Sequence, residues 1–287
     1  MNIGVNSFGL RGPFYRDWEG SLNQLKEIGL SSLEVCVGFP SERQKRAASA
    51  RAAQEKAPDD GFNYAEARAA IWGGEDAVER IRYVREHSLK VFSAHVMFDA
   101  QQPEELLELI PLLRDFSQKT GVRSFVYSPS RTPDELSAHI PAFNRICGDL
   151  KTDGIRFLLH NHEAECVLKD GKTGLELVME QCPDLGLELD VGWAKYAGID
   201  SLQLMDALRH HLLLIHLKDI RSDASPETRN SCFTAVGEGS IPLEQILRKA
   251  QAIGLDEDSL IIDQDASEGE ILSDIANGVE HIRRLMP

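Results

Sequence analysis

Eight short apolar runs alternate with longer helical stretches from one end of this sequence to the other, and no other feature constrains the fold as tightly. The runs cover residues 2–7, 32–39, 90–96, 123–128, 155–162, 185–190, 212–218 and 259–264. Between them, stretches such as 103–120, 133–152, 242–253 and 267–285 read as helices. Strands that alternate with helices pair in parallel, because a parallel neighbour is reached only by a crossover. Five or six such units form an open sheet, whereas eight close on themselves. The third to seventh runs start roughly 30 residues apart, the length of one strand–helix unit. The expectation is an α/β fold, one (β/α)8 TIM barrel spanning 1–287 as a single domain.

Two connections exceed this rhythm, 40–88 and 219–240. Extra length in a barrel collects in the loops that follow the strands, on the face where sites form. Helix boundaries agree with the reading. Thr132 offers a cap, Pro133 a first helical residue and Asp134 and Glu135 a first-turn acid pair. Gly29, Gly121, Gly154 and Gly254 each stand where a helix ends before the next strand.

The formal net charge of −15 argues against a nucleic-acid or anionic-membrane surface, either of which needs a basic face. The five cysteines are odd in number and form no CxxC pair, so reduced thiols are expected. No basic segment leads into a long apolar one at the N-terminus, and no run approaches the ~18 apolar residues of a membrane span. A cytoplasmic protein is expected.

Side chains at the C-terminal ends of barrel strands converge on one pocket. The third strand ends near His95, and the fifth in His160, Asn161, His162, Glu163 and Glu165. The sixth offers Glu188 and Asp190, the seventh His216, Lys218 and Asp219, the eighth Asp263, Gln264 and Asp265. Imidazole and carboxylate are the ligand types for a divalent cation. They also terminate otherwise apolar runs such as LLLIH and LIID, where a strand covered on both faces stays apolar unless a site demands otherwise. The strand period of two places His160 with His162, Glu188 with Asp190, His216 with Lys218, and Asp263 with Asp265.

The segments LLHNHEAEC, LELDVGWAKYAG, IHLKDIR, VGEGSIPLEQIL and IIDQDAS together resemble the sugar phosphate isomerase/epimerase group of the xylose-isomerase-like barrel superfamily. Ketose 3-epimerases, inosose dehydratases and endonuclease IV are its relatives. The likeness runs from about His95 to the end. It implies a sugar isomerase or epimerase that uses one divalent metal ion (Mn2+, Zn2+, Co2+ or Mg2+) on a small carbohydrate, in a homodimer or homotetramer. In that group an acid ending the fifth strand, an Asp ending the sixth, a His on the seventh and a Glu on the eighth hold the ion. Carried over by position, these are His160 (or His162), Asp190, His216 and Asp263. Two positions depart from the epimerase pattern. A His-Asn-His segment, like that of the inosose dehydratases, replaces the fifth-strand Glu, and the shorter Asp263 replaces the eighth-strand Glu. Those two Glu residues move protons in the epimerases, so their two-base mechanism does not carry over unchanged.

Isomerisation, epimerisation and dehydration of such sugars share a first step, removal of a proton beside a carbonyl. His160 or His162 is one candidate base, Asp263 or Glu165 the other. Lys218 is a candidate for stabilising developing negative charge, and Arg221 for holding a substrate oxygen or phosphate. Glu34, His95 and Trp193 are candidates for the sugar site. Asp219 is expected to orient His216 or the loop after it, and Glu238 to cap the next helix. The competing readings are an inosose-type dehydratase, a non-catalytic sugar-binding barrel, a metal-dependent DNA-repair nuclease and a Schiff-base aldolase built on Lys218.

Overall fold

A computed structural model describes residues 1–51, 63–229 and 231–286, with side chains of 47–51 and 64 left aside. Among the described residues, eight parallel strands close into a barrel. They are β1 (Ile3–Asn6), β2 (Ser32–Gly38), β3 (Ser93–Met97), β4 (Ser124–Tyr127), β5 (Arg156–His160), β6 (Gly186–Asp190), β7 (Leu212–Leu217) and β8 (Leu260–Ile262). Closure is made at β1, where Val5 pairs with Ile262 on one side and with Leu33 on the other. The crossover helices are α1 (Trp18–Ile28), α2 (Gly74–Glu86), α3 (Leu109–Thr120), α4 (Pro133–Lys151), α5 (Gly174–Met179), α6 (Ser201–Ala207), α7 (Leu243–Ala252) and α8 (Ile271–Leu285). No helix among the described residues is long and apolar enough to cross a membrane.

Several boundaries differ from the sequence expectation, each for a local reason. Strand β5 stops at His160 rather than 162. The Asn161 side chain takes over the ladder there, accepting from Asp190 N (3.0 Å) and donating to Asp190 O (3.1 Å). The backbone is thus released just where His160 and His162 leave the strand. The third run starts pairing properly only at Ser93, because Lys90 meets Ser32 through a single bridge. The stretch 103–120 opens as a 3-10 turn, Pro103–Glu108, before α3. A short unexpected strand, Ile71–Gly73, pairs with Cys36–Gly38 of β2. It extends the edge along which β1 has already stopped at Asn6, and so covers backbone groups that would otherwise be unpaired. The middle of the long 40–88 connection, 52–62, lies outside the described residues.

The helix-end glycines behave as their positions suggest. Gly29, Gly121, Gly154 and Gly254 have φ of 86°, 74°, 69° and 75°, the left-handed region in which a Cβ is costly. At the start of α4, the Glu135 carboxylate accepts from both N and Oγ1 of Thr132.

One apolar layer lies between barrel and helices and a second, smaller one fills the barrel itself. The inner layer consists of Val126, Leu158, Leu214 and Ile261, from β4, β5, β7 and β8. Two residues further along each of these segments stand Ser128, His160, His216 and Asp263. A strand repeats every two residues, so these polar groups occupy the next layer up, directly above the apolar plug.

Candidate metal centre in the barrel mouth

The polar layer is a dense knot of imidazole and carboxylate. Glu34, Glu188, Asp190, His160 and His216 are each no more than 2% exposed, and Asp263 is 7% exposed. Two groups of donor atoms lie within 4.8 Å of one another: His95, His160, Glu188 and His216, and Asp190, His216 and Asp263. His216, on β7, belongs to both.

The two buried histidines are held in the same way. His160 Nδ1 meets Glu188 Oε2 at 2.8 Å, and its Nε2 faces Asp190 Oδ2 at 3.9 Å. His216 Nε2 meets Glu34 Oε2 at 2.7 Å, while its Nδ1 lies 3.3 Å from Asp263 Oδ2 without a hydrogen bond. Each ring therefore has one nitrogen tied to a buried glutamate and the other turned toward an aspartate. Asn6 braces Glu34 from β1, donating at 2.9 Å. Asp190 is tied at one oxygen only. Its Oδ1 accepts from Trp193 N at 2.8 Å, capping the short helix Val191–Tyr196, and its Oδ2 is buried with no hydrogen-bond partner among the described residues. Unpartnered buried atoms cost on the order of 1–3 kcal/mol each, so a cluster that keeps them has a use for them. Orienting one imidazole nitrogen with a carboxylate while the other stays free is how metal-binding histidines are held.

The charges follow from this packing. Burial pushes the Glu188 carboxyl well above its usual value, and the neighbouring Glu34 charge pushes it further. Burial acts on Glu34 too, but the charge and hydrogen bond of His216 outweigh it and hold that carboxyl at about 2. Burial raises Asp190 to about 7 against the pull of Lys218. His216 stays cationic despite burial, because Glu188, Glu34 and Asp263 surround it. Burial and the neighbouring His216 and His95 drive His160 the other way, well below the usual imidazole value.

Lys218 is the fixed cation of the site. Its ammonium, 2% exposed, lies 2.6 Å from Asp263 Oδ2 and 3.9 Å from Asp190 Oδ2, and it also donates to Asp265. Burial disfavours that charge, but the facing aspartates keep it protonated. Phe233 and Trp193 roof it, with ring centroids 5.2 and 5.9 Å from Nζ. Its carboxylate partners leave it no character of a neutral amine nucleophile.

Above the cluster lies a cavity of about 240 Å³ whose walls include His95, His160, His162, His216, Asp263 and Asp265. His162 Nδ1 is held by Ser130 Oγ at 3.0 Å, its ring packs edge-on against Trp193, and burial depresses its basicity to about 3. His95 meets Ser128 Oγ at 2.8 Å and is likewise depressed by burial.

The residues singled out in the sequence are not all gathered here. Asp190, His216 and Asp263 share one point, and His160 adjoins it, grouped with His216, Glu188 and His95 and with its Nε2 3.9 Å from Asp190. Glu165 is buried away from the cavity. Its carboxylate accepts from the backbone amides of Arg131 and His162, so it clamps two loops instead of facing a substrate. Arg221 pairs with Asp223 and Glu268 outside the cavity. Trp193 touches His162 and roofs Lys218 but does not line the cavity. Asp219 does not reach His216. It accepts from the amides of Ile220, Gly237, Gly239 and Ile241, and so pins the long loop after β7. Glu238 is exposed, and α7 starts without a side-chain cap. Conversely, Glu188 proves central, a role already signalled by its place on the face of Asp190. Asn6 and Ser128 close the ring from β1 and the end of β4, the strands that the search for imidazole and carboxylate passed over.

A family model described as a xylose isomerase-like TIM barrel matches residues 54–285. No curated protein sequence matches the chain. Among solved structures, a sugar phosphate isomerase/epimerase from Parabacteroides distasonis superposes with a TM-score of 0.73 at 18% identity, over 100% of this chain and 95% of that one. The probable 3-DHS dehydratase of Bacillus anthracis gives 0.67 at 11% identity, over 99% of each chain. The IOLI protein, solved with a zinc atom, gives 0.65 at 13% identity, over 99% of this chain and 96% of that one. At such identities these likenesses concern the fold.

Proposed function

The chain belongs to the xylose isomerase-like TIM barrel family, and from that premise we propose that it is a metal-dependent sugar isomerase or epimerase, working by proton abstraction next to a carbonyl. One observation carries the reading: the two buried histidines each present a free ring nitrogen toward Asp190 and Asp263, with their opposite nitrogens tied to Glu188 and Glu34. His160, Asp190, His216 and Asp263 would hold the ion, which the donor types fit for Zn2+, Mn2+ or Co2+ better than for Mg2+. Such an ion, when bound, stabilises negative charge developing on the carbonyl and hydroxyl oxygens of a sugar.

The remaining roles belong to the chain. His162 lines the cavity, and its position rather than its basicity, which burial lowers, gives it the role of proton acceptor. Lys218, permanently charged, holds Asp263 and Asp265 in place and adds a positive field at the cavity wall. Asp263 is kept ionised by Lys218 and His216 against the effect of burial, which suits a ligand better than a base. Glu165 has no part, because its oxygens are engaged by amides.

The test combines elemental analysis of the purified protein with solvent-deuterium exchange over ketoses, inososes and keto-sugars. About one metal ion per chain is expected, with deuterium entering at the carbon beside the carbonyl in a manner abolished by chelation and restored by Mn2+ or Zn2+. Exchange accompanied by loss of water would move the assignment to a dehydratase. Absence of bound metal together with absence of exchange anywhere in the panel would leave a non-catalytic sugar-binding barrel.

A further inference from the structure

A second cavity of about 560 Å³ opens beside the metal-centre cavity, on the side of β3 and β4. The two meet at His95, Met97 and Ser128, which line both. Their sizes differ in a way that matters. The inner one, at about 240 Å³, falls short of the ~300–1,000 Å³ typical of small-molecule pockets, while the outer one lies inside that range. A substrate confined to one ring would leave the larger space to water.

Arg131 stands in the wall of this outer cavity. One guanidinium nitrogen donates to Ala100 O, yet its Nε is buried with no hydrogen-bond partner among the described residues. It forms no ion pair there either. The Nε is closed to solvent, so a ligand meets Arg131 only where the rest of the residue lines the cavity, with its charge unmatched by an ion pair among the described residues. Across the wall stands Asp99, whose carboxylate is held ionised chiefly by the hydrogen bond from Arg43 and also takes one from Gln101. Gln44 and Tyr127 complete the polar lining. Planar donors and acceptors of both signs beside an aromatic ring suit a hydroxylated ring, which gives and takes hydrogen bonds at every carbon. Asp99 is already paired with Arg43, so it is the mixture of donors and acceptors in this wall, rather than its charge, that favours a neutral ring over a phosphate or carboxylate.

We propose that this outer cavity is a second sugar subsite, so that the substrate is a glycoside whose reacting ring sits over the metal centre and whose neutral glycosyl unit is gripped by Arg131. This rests on the functional reading above, but its test is separable because it reads binding.

The probes are ketose sugars sharing one reacting unit: fructose alone, and the disaccharides turanose, lactulose and isomaltulose, which attach a hexose at different positions. Fructose 6-phosphate supplies the anionic arm. Calorimetry on the metal-loaded protein is expected to give at least tenfold tighter binding for one of the disaccharides than for fructose. Arg131→Ala should erase that gain and leave fructose unchanged. Because Arg131 also holds Ala100, the exposed Gln101→Trp provides a second variant that fills the cavity without touching that contact, and it should erase the gain too. Disaccharides that bind no better than fructose, a gain that survives both variants, or an Arg131-dependent gain for fructose 6-phosphate alone would each overturn the proposal. Deuterium exchange on the same sugars reports the metal-centre reaction separately. Its failure alongside a disaccharide preference would count against the reaction and leave the subsite standing.

Discussion

The two halves of the barrel mouth are built on opposite principles. On the side of β5 to β8, four consecutive strands end in imidazole or carboxylate, and the side chains are packed until almost nothing is exposed. On the side of β1 to β4, the strand ends are neutral or weakly polar, namely Asn6, Cys36, His95 and Ser128, and a large open cavity stands beside them. Glu34 is the exception, and it points across the axis to His216. The difference teaches where rigidity is needed. A cluster that concentrates charge has to be held from all sides, because each buried ion carries several kcal/mol of desolvation. A surface that selects among substrates can be open and only partly satisfied.

Breaking the charged half should have the largest effects. His216 belongs to both groups of donors, so His216→Ala is expected to abolish stoichiometric metal binding, with affinity lowered at least about 1,000-fold for a lost ligand, some 4 kcal/mol. Competition with a chromophoric chelator would read this. Metal retained at full affinity would mean that the ion sits elsewhere.

Lys218→Met comes next. Removing one partner of a buried charge network strands the others, at a typical cost of about 3–5 kcal/mol. Here Asp263 would be left with His216 as its remaining cation close by. Urea unfolding of the metal-free protein should show the loss, and added divalent metal should recover part of it, since an ion neutralises the same carboxylates. A variant as stable as the parent would show that the ammonium is dispensable.

The glutamates behind the histidines test the comparison more finely. Glu188→Gln and Glu34→Gln keep the shape but weaken the grip on His160 and His216, and such changes typically cost 10–100-fold in metal affinity. Proton competition should be visible as well. Asp190 without metal is raised to about 7, so it is protonated below that pH and must lose the proton to bind a cation. Metal affinity is therefore expected to fall as pH drops below 7, by about tenfold per unit for the Asp190 proton and a further tenfold for the one that cationic His216 must release. A fall of only about tenfold per unit between pH 7 and 5 would show that Asp190 is not a ligand.

How much of this was legible in the sequence also divides along the same line. The charged half announces itself because an apolar run that ends in His or Asp breaks the rule for a doubly covered strand, and LLLIH and LIID do so openly. Period two then places Glu188 with Asp190, and the eight-fold alternation supplies the barrel. The neutral half carries no such signal. Ser128 is an ordinary strand-end residue, and Arg131 one more basic residue in a polar loop. Its exposure to the cavity depends on Glu165 clamping the Arg131 amide from a loop 34 positions away, which no local pattern encodes. The same clamp explains why Glu165 looked like a base: its spacing after His162 is right, but the 3-10 turn Ala164–Cys166 directs its carboxylate back to the amides.

Ser128→Ala should give the smallest effect, and it sits on the seam between the halves. Its hydroxyl meets His95 Nε2 at 2.8 Å, while His95 Nδ1 stands 3.9 Å from Glu188. If the halves are independent, losing this bond affects substrate contact and not the metal. A single neutral hydrogen bond is worth about 0.5–1.5 kcal/mol, and His95 keeps access to cavity water in its place. The variant should bind metal within about twofold of the parent, with any change appearing in KM for the sugar rather than in kcat. A tenfold loss of metal affinity would instead mean that His95 transmits to Glu188 and His160, and that the charged cluster extends across the seam into β3 and β4.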